Sequence, residues 1–286
     1  MYKRLKAMMP DWVKHAYRKI FGKHGVQGVG RPLTVRESDV FIVSYPKSGN
    51  TWTRFIIGNL ISEDEVNFLN VESRVPDIYV LPDSDLKKLK GPRIIKSHEY
   101  FDPRYKKVIC IVRDPRDIAV SYMHFLRKMG WIPADSSMEA FIDKFLDGSL
   151  DSYGSWGDNV GSWLGARADD DGFLLLRYED MLAAPGEALE SISLFLGLNA
   201  SQERIERAIE LSSFDRMRSL EKDWKIMSQS DSKTSFMRAG KKGEGVKELP
   251  RSTINEIEEK WGGIMGKLGY LPVGVQDSPS QLKKES

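Results

Sequence analysis

The pattern of apolar and polar positions predicts four strands. Short runs rich in apolar and β-branched residues cover 39–45, 93–98, 106–113 and 173–180. Runs such as KKVICIVR do not alternate between apolar and polar residues, which is typical of strands buried on both faces of a parallel sheet.

Helical periodicity fills much of the remaining chain. Apolar residues recur every three or four positions over 51–62, 84–90, 115–130, 136–147, 185–197, 201–211 and 253–267. Alternating strands and helices predict an α/β fold, a single domain with a central parallel β-sheet flanked by helices. Ligand sites in such folds gather at the carboxyl ends of the strands.

The first 24 residues follow a different pattern. Their apolar residues have the spacing of one helix face, and seven Lys or Arg accompany a single Asp. The segment therefore predicts a basic amphipathic helix without the long apolar run of a membrane span or secretion signal. Two interpretations stay open: peripheral contact with an anionic membrane, or a helix docked on the fold with its charges in solvent.

Length and composition indicate one large domain. The chain has 286 residues with 41% hydrophobic content and a formal net charge of +2. We expect the domain over 25–272, preceded by the helix over 1–24 and followed by a flexible tail over 273–286. The single cysteine, Cys110, excludes an internal disulfide and favours a cytoplasmic protein, and its apolar neighbours predict a buried side chain without chemistry.

The stretch VSYPKSGNTWTRF, residues 43–55, joins the first strand to the first helix through a short polar turn. Gly49 permits close backbone approach, and the helix N-terminus, the charge of Lys47 and the hydroxyls of Ser48 and Thr51 suit an anion. The lysine precedes the glycine, so the magnesium-nucleotide pattern GxxxxGK[ST] is absent. The stretch predicts a phosphate or sulfate site, with an ordinary strand-to-helix turn as the alternative.

A second stretch, IVRDPRDIAVSYMHF at 111–125, repeats the arrangement at another strand. Arg113 ends the strand, and Asp117 and Ser121 share one face of the helix that follows. Arg113 can donate two hydrogen bonds to a phosphate and Ser121 a third, while an Arg–Asp ion pair is the alternative. Two such turns on adjacent strands favour phosphate binding.

These stretches resemble motifs of the cytosolic-type sulfotransferases. YPKSGNTW is similar to that family's 5′-phosphosulfate loop, and IVRDPRDIAVSYMHF is similar to its 3′-phosphate motif. FMRAGKKGEG, at 236–245, resembles the family's R-K-G-x-x-G segment. The resemblance covers roughly residues 30–272 and implies a sulfotransferase that uses 3′-phosphoadenosine-5′-phosphosulfate (PAPS).

The resemblance also implies roles for single residues at the donor. It assigns the 5′-phosphosulfate to Lys47, Ser48, Gly49, Asn50 and Thr51, the adenine to Trp52, Tyr178 and Phe214, and the 3′-phosphate to Arg113, Ser121, Arg238 and Gly240. The chain departs from the family at Asn50, where Thr is usual, at Ala239, where Lys is usual, and at Glu244-Gly245, where Asp-Trp is usual. A lysine following Ala239 could supply the missing charge. The family's dimerisation signature is absent, so the oligomeric state stays open.

The tripeptide KSH is similar to the family's K-T-H, which makes His98 the candidate general base and Lys96 its helper. Histidine suits the task because its ordinary pKa lies near neutral pH, and Lys47 can stabilise charge on the leaving oxygen. A structural histidine is the alternative for His98, and we assign His124 a structural role. The four histidines lack metal-ligand spacing, so we predict no metal site.

The acceptor is less well specified. Residues 64–90 and 126–165 are expected to cover its pocket, and their aromatic content favours a small apolar or aromatic hydroxyl compound. No acidic run in them indicates a cationic acceptor. The candidate lining residues are Phe68, Tyr79, Leu81, Phe125, Met129, Trp131, Ile132, Phe141, Tyr153, Trp156 and Trp163. For Phe141, Phe145 and Trp163 the helical spacing favours the core instead.

Two other functions remain as alternatives. A P-loop-type kinase would need the Gly-Lys-Ser/Thr order and a carboxylate for magnesium, and the first is absent. A non-catalytic nucleotide-binding or membrane-associated protein would use the basic N-terminus. The presence of Lys47, Lys96 and His98 argues against this function, because a non-catalytic site would be expected to lose some of these groups. We expect a small-molecule partner and no nucleic acid.

Overall fold

The computed structural model describes residues 33–227 and 242–271. The predicted N-terminal helix, the C-terminal tail, Arg238, Ala239 and Gly240 therefore lie outside the described residues. Four strands form one parallel sheet in the order β2-β1-β3-β4. They are β1 (Val40–Ser44), β2 (Ile94–Ser97), β3 (Lys107–Val112) and β4 (Phe173–Arg177). The predicted α/β fold with a parallel sheet is confirmed.

Both faces of β1 are buried, as the unbroken apolar runs predict, whereas β4 at the edge of the sheet is only partly buried and its Leu175 is 37% exposed. In β1, Phe41 and Val43 pack into one hydrophobic cluster while Val40 and Ile42 pack into another on the opposite face. Side chains alternate between the faces of a strand, so a strand covered by helices on both sides needs apolar residues at every position. Cys110 lies on β3, fully buried, and burial raises the pKa of its thiol to about 12.

Helices cover both faces of the sheet. The longer ones are α1 (Asn50–Ile61), α4 (Pro115–Lys128), α5 (Met138–Asp147), α6 (Trp156–Arg167), α8 (Pro185–Leu196), α9 (Gln202–Leu211), α10 (Phe214–Met227) and α12 (Arg251–Lys267). Shorter helices are α2 (Val71–Arg74), α3 (Asp83–Leu86), α7 (Tyr178–Ala183) and α11 (Gly245–Glu248). No helix in the described part of the chain is long and apolar enough to cross a membrane.

Two predicted elements differ from the structure. The strand predicted over 173–180 ends at Arg177, because its partner β3 ends at Val112, the residue that pairs with Arg177. Tyr178 therefore begins a helix. The helix predicted over 84–90 is a single turn, α3. In addition, the structure contains the helices α6 and α10, which the sequence pattern did not predict.

One face of the sheet holds a core rich in aromatic residues. Phe141, Phe145 and Trp163 are buried in it, which confirms their assignment to the core. Trp156 is also fully buried, with its ring 5.3 Å from that of Trp261 on α12. Trp156 thus joins α6 to α12 in the core.

Close packing between α6 and α12 predicts opposite effects for two glycines of α6. A Cβ at Gly157 would lie 2.4 Å from the Trp261 indole, whereas a Cβ at Gly165 has nothing within 4 Å. We expect Gly157→Ala to lower the free energy of unfolding by about 1–3 kcal/mol through overpacking. Gly165→Ala should raise it by up to about 1 kcal/mol through helix propensity.

Denaturant unfolding of both variants measures the two values. Equal free energies of unfolding for the two variants would contradict the described packing of α6 on α12.

Candidate functional site

The two predicted anion-binding turns meet because β1 and β3 are neighbours in the sheet. The guanidinium of Arg113, which follows β3, donates through Nη1 to the backbone oxygen of Lys47, which follows β1, at 3.2 Å. Parallel strands present their carboxyl ends at one edge, so both turns open toward the same space.

The turn after β1 has an unusual backbone. Lys47 has φ 69° and Gly49 has φ 92°, both in the left-handed region, which costs free energy for a lysine. A Cβ at Gly49 would lie 2.4 Å from the ring of Tyr178, so only glycine fits there. Helix α1 begins after Gly49 without a side-chain cap. Its first N–H groups are thus available to an anion.

Ser48 is consistent with such a ligand. Its side chain is completely buried, and its Oγ has no hydrogen-bond partner among the described residues. Buried hydroxyls normally have a partner, so an unpaired one in this turn fits a phosphate or sulfate oxygen. The turn therefore combines backbone donors, a hydroxyl and the charge of Lys47, which is the donor set that a 5′-phosphosulfate requires. Thr51, in the first turn of α1, is half-buried.

Asn50 uses its side chain in another direction. Its Nδ2 donates to Ser44 Oγ at 2.9 Å, and that oxygen lies 3.5 Å from Nδ1 of His98. The side chain thus links the turn to the histidine. An amide nitrogen carries two N–H groups, so the second one and the backbone N–H of Asn50 can still serve an anion.

His98 follows β2 and reaches the end of β1. Its Nδ1 lies 2.6 Å from the backbone oxygen of Ser44. A carbonyl oxygen only accepts, so Nδ1 carries the proton and the lone pair of the neutral ring lies on Nε2. Burial, then the nearby charge of Lys96, hold the pKa of His98 well below its usual value. The imidazole is therefore neutral at pH 7, with Nε2 ready to accept a proton.

Lys96 is engaged in an ion pair. Its Nζ lies 2.8 Å from Asp77 Oδ2, and Arg54 Nη1 lies 3.9 Å from the same oxygen. Burial alone raises the pKa of the Asp77 carboxyl, but the charges of Lys96 and Arg54 bring it below its usual value. Lys96 thus contributes charge beside His98 while it is held by Asp77.

The turn after β3 contains the Arg–Asp pair that the sequence left as an alternative. Arg113 Nη2 lies 3.7 Å from Asp117, and both side chains are buried. Asp117 also accepts the N–H groups of Gly243 at 2.8 Å and Gly245 at 2.6 Å. It therefore anchors the loop after residue 241 beside Arg113. Ser121 lies one turn further along α4 and is half-buried.

Gly245, a departure from the family pattern, has a steric reason. A Cβ there would lie 2.3 Å from the backbone carbon of Arg116. The close approach of this loop to α4 excludes any side chain at this position.

The residues expected to contact adenine lie on one side of this space. The rings of Trp52 and Tyr178 are 5.9 Å apart and meet edge to face. The indole of Trp52 donates to the oxygen of Ser212 at 3.0 Å, and Phe214 begins α10 two residues later. The guanidinium of Arg113 lies 4.6 Å from the Tyr178 ring. The structure thus brings Trp52 and Tyr178 to the donor turns, and Phe214 lies close to them in sequence through Ser212.

Part of the expected acceptor lining is also near His98. Its imidazole lies 5.7 Å from the Tyr79 ring and 5.3 Å from the Tyr153 ring, and Lys47 Nζ lies 4.2 Å from the Phe125 ring.

Two expected lining residues lie elsewhere. Phe68 packs against Phe55 and Trp224, because the segment that carries it folds back over α1. Trp156 belongs to the core with Trp261.

Sequence reasoning missed Asp151. Tyr122 donates a short hydrogen bond to its carboxyl, and the N–H of Tyr153 donates to Oδ1 at 2.7 Å. Burial raises the pKa of Asp151 to about 6, and burial with the charge of Asp151 raises the pKa of Tyr45. The only sequence signal was a lone acid before an aromatic motif. The carboxyl thus accepts from the backbone of Tyr153, the tyrosine whose ring packs edge to face on His98.

Comparisons with known proteins agree on one family. A family model described as "Sulfotransferase domain" matches residues 37–269. The chain is 31% identical to Sulfotransferase 2A1 of Rattus norvegicus over 288 residues, covering 93% of this chain and 99% of the relative. It is 30% identical to 3-beta-hydroxysteroid sulfotransferase of Cavia porcellus over 253 residues, covering 83% and 86%. The crystal structure of mouse sulfotransferase SULT7A1 complexed with PAP is 26% identical, with a TM-score of 0.68, over 83% of this chain and 88% of that chain.

The left-handed turn predicts a specific loss at Gly49. We expect Gly49→Ala to weaken binding of PAP, the desulfated nucleotide, by roughly tenfold or more, because the new Cβ meets Tyr178 and the backbone is strained. Gly197→Ala is the matched control, since Gly197 has φ 73° and nothing within 4 Å of its Cβ position. Calorimetric titration with PAP measures both. Unchanged affinity in Gly49→Ala would refute the role of this turn.

The raised pKa of Asp151 predicts a pH-dependent stability effect. The folded state favours its protonated form, so the folded protein loses stability as pH rises from about 4 to about 6. Asp151→Asn removes this loss, and its melting temperature relative to the parent should rise with pH across that window. The control is Asp147→Asn, because the exposed Asp147 accepts from Ser149 in a similar turn but has a lowered pKa. A flat difference for Asp151→Asn would be inconsistent with a buried acid.

Proposed function

This chain belongs to the sulfotransferase family and is a PAPS-dependent enzyme of sulfuryl transfer to hydroxyl or amine acceptors, and we propose that His98 is its general base. The acceptor we infer is a hydroxyl of a small apolar or aromatic compound, attacked by in-line displacement. One observation carries the assignment of the base: Nδ1 of His98 donates to the Ser44 carbonyl, which leaves Nε2 as the proton acceptor.

The residues around the two turns suit the donor. PAPS supplies the sulfuryl group. We propose that Lys47, Ser48, Gly49 and Thr51 with the backbone of Asn50 hold its 5′ end, that Arg113 and Ser121 hold its 3′-phosphate, and that Trp52, Tyr178 and Phe214 contact adenine. Arg238 and Gly240, outside the described residues, stay predictions for the 3′-phosphate.

The chain's own groups divide the chemistry between them. His98, neutral at pH 7, accepts at Nε2 the proton that the acceptor hydroxyl loses. Lys47 places a positive charge at the turn where negative charge develops on the leaving oxygen. Lys96, held in its ion pair with Asp77, adds positive charge beside His98.

The aromatic wall supports an apolar acceptor. Tyr79 and Tyr153 pack on the imidazole of His98, and the Phe125 ring lies beside the ammonium of Lys47. Such walls bury apolar surface and leave few polar groups to fix a densely hydroxylated sugar. The relative named 3-beta-hydroxysteroid sulfotransferase acts, by its name, on an apolar alcohol, and this supports the same class here.

Replacement of His98 tests the proposal. We expect His98→Ala to lower the rate of sulfuryl transfer by roughly 10²- to 10⁴-fold while PAP affinity is retained, because a general base contributes that much. His124→Ala is the matched control: His124 lies on α4, is exposed and pairs with Glu248 at 3.2 Å. Transfer of labelled sulfate from PAPS to phenols, steroids, long-chain alcohols, amines and sugars is the measurement.

Two further arms of the same assay test the remaining claims. Within the described residues no cluster of three His, Cys, Asp or Glu is placed to hold a metal ion, and we propose a reaction that needs none. Turnover should survive a chelator, in contrast to a magnesium-dependent kinase. Full activity of His98→Ala refutes the base, and a preference for sugars or amines refutes the acceptor class.

A further inference from the structure

Residues 76–79 lie beside the edge of β2 that faces away from β1: Asp77 bridges to that strand, and Ile78 and Tyr79 belong to the turn that follows. The N–H of Lys96 donates to the oxygen of Pro76 at 2.8 Å, and the N–H of Ile78 donates to the oxygen of Lys96 at 3.3 Å. Asp77 and Lys96 form a parallel bridge. The 76–79 segment is therefore held against β2, the strand that precedes His98.

Tyr79, the last residue of this segment, contacts His98 in two ways. Its hydroxyl accepts the backbone N–H of His98 at 2.9 Å and donates to Glu99 Oε1 at 3.0 Å. Its ring also stacks on the imidazole, with centroids 5.7 Å apart and planes 16° from parallel. Tyr79 is 2% exposed, so it has little freedom to move. The buried side chain of Tyr79 therefore contacts both the backbone N–H and the ring of His98.

Asp77 fixes the segment itself. Its Oδ1 accepts the N–H of Tyr79 at 2.8 Å, and its Oδ2 pairs with Lys96 Nζ at 2.8 Å. The ammonium of Lys96 lies 4.7 Å from the Tyr79 ring centroid. Arg54 closes the network, since its Nε donates to the oxygen of Val75 at 2.9 Å. The side chain of Tyr79 thus packs beside the buried ion pairs that Asp77 makes with Lys96 and Arg54.

The ring of His98 needs such support. The bond from Nδ1 to the Ser44 oxygen fixes the position of one ring atom and selects one tautomer. The ring can still rotate about that contact. Tyr153 packs on the imidazole edge to face at 63°, and Tyr79 lies nearly parallel to it. Together the three contacts determine where Nε2 points.

We propose that Tyr79 is a positioning residue for sulfuryl transfer: it orients the imidazole of His98 through its hydroxyl and its ring, and it touches neither donor nor acceptor oxygen. The inference rests on the proposed role of His98 as the base. A misplaced base slows the chemical step without weakening donor binding. Tyr79 was expected from the sequence to line the acceptor pocket, and this role adds to that expectation.

Tyr79→Phe tests the hydroxyl while the ring is kept. We expect kcat to fall roughly 10- to 100-fold, with PAP affinity and acceptor KM unchanged. Tyr105→Phe is the matched control: Tyr105 is equally buried, its hydroxyl bonds to Ser97 on the same strand, and its ring stacks on Phe41. Both variants lose one buried hydroxyl near β2, so their stabilities should fall together while only Tyr79→Phe loses kcat.

Nitrogen NMR of the His98 ring gives a readout that a merely structural role would not move. In the parent and in Tyr105→Phe we expect the Nδ1–H form alone. In Tyr79→Phe the backbone N–H of His98 loses its acceptor, and we expect the ring to shift away from the Ser44 oxygen, so that both tautomers are populated. Unchanged kcat and tautomer in Tyr79→Phe would overturn the proposal.

Comparison with His98→Ala separates this failure from failure of the proposed function. If His98→Ala is inactive and Tyr79→Phe is fully active, only the positioning role is lost. If both are fully active, His98 is not the base.

Discussion

The pairing of β1 with both β2 and β3 is the constraint on which the site depends. Parallel pairing places the ends of three strands at one edge of the sheet. At that edge the backbone oxygen of Ser44, the last residue of β1, accepts from His98 after β2. In the turn that follows β1, the backbone oxygen of Lys47 accepts a hydrogen bond from Arg113, which follows β3. Groups distant in sequence thus meet through backbone atoms of a single strand and its turn.

This arrangement joins a strained turn to His98. The left-handed backbone at Lys47 and Gly49 costs free energy, and the buried core on both faces of β1 holds it in place. Asn50 extends the connection, because its amide donates to the Ser44 hydroxyl beside His98. The turn after β1 and the histidine after β2 therefore both contact Ser44.

The sequence predicted the sheet because its signal is local. Unbroken apolar runs mark strands with two buried faces, and the turns after β1 and β3 carry their charged residues within a few positions. It failed at α6, where glycines at 157, 161 and 165 interrupt the apolar periodicity. It also extended β4 past Arg177, because the end of a strand is set by its partner in space.

The support of the site could not be predicted from the sequence. Asp77 acts through Lys96, and Asp151 acts through Tyr122, and each pair is separated by many residues. Lone acids of this kind have no spacing that distinguishes them from surface charges. The geometry also added a partner for each of two predicted site residues: Lys96 pairs with Asp77, and Asn50 donates to Ser44 beside His98. The sequence thus predicted the fold and pointed to the motif residues, but it did not reveal the carboxylates of Asp77 and Asp151 that pair with their neighbours.

A crystal structure of the protein with PAP tests the central claim most directly. We expect the 5′-phosphate on the N–H groups of residues 49–51 beside Lys47, the 3′-phosphate on Arg113, and Nε2 of His98 facing the 5′ end. A nucleotide bound elsewhere, or an imidazole whose Nε2 points away from that phosphate, would contradict it.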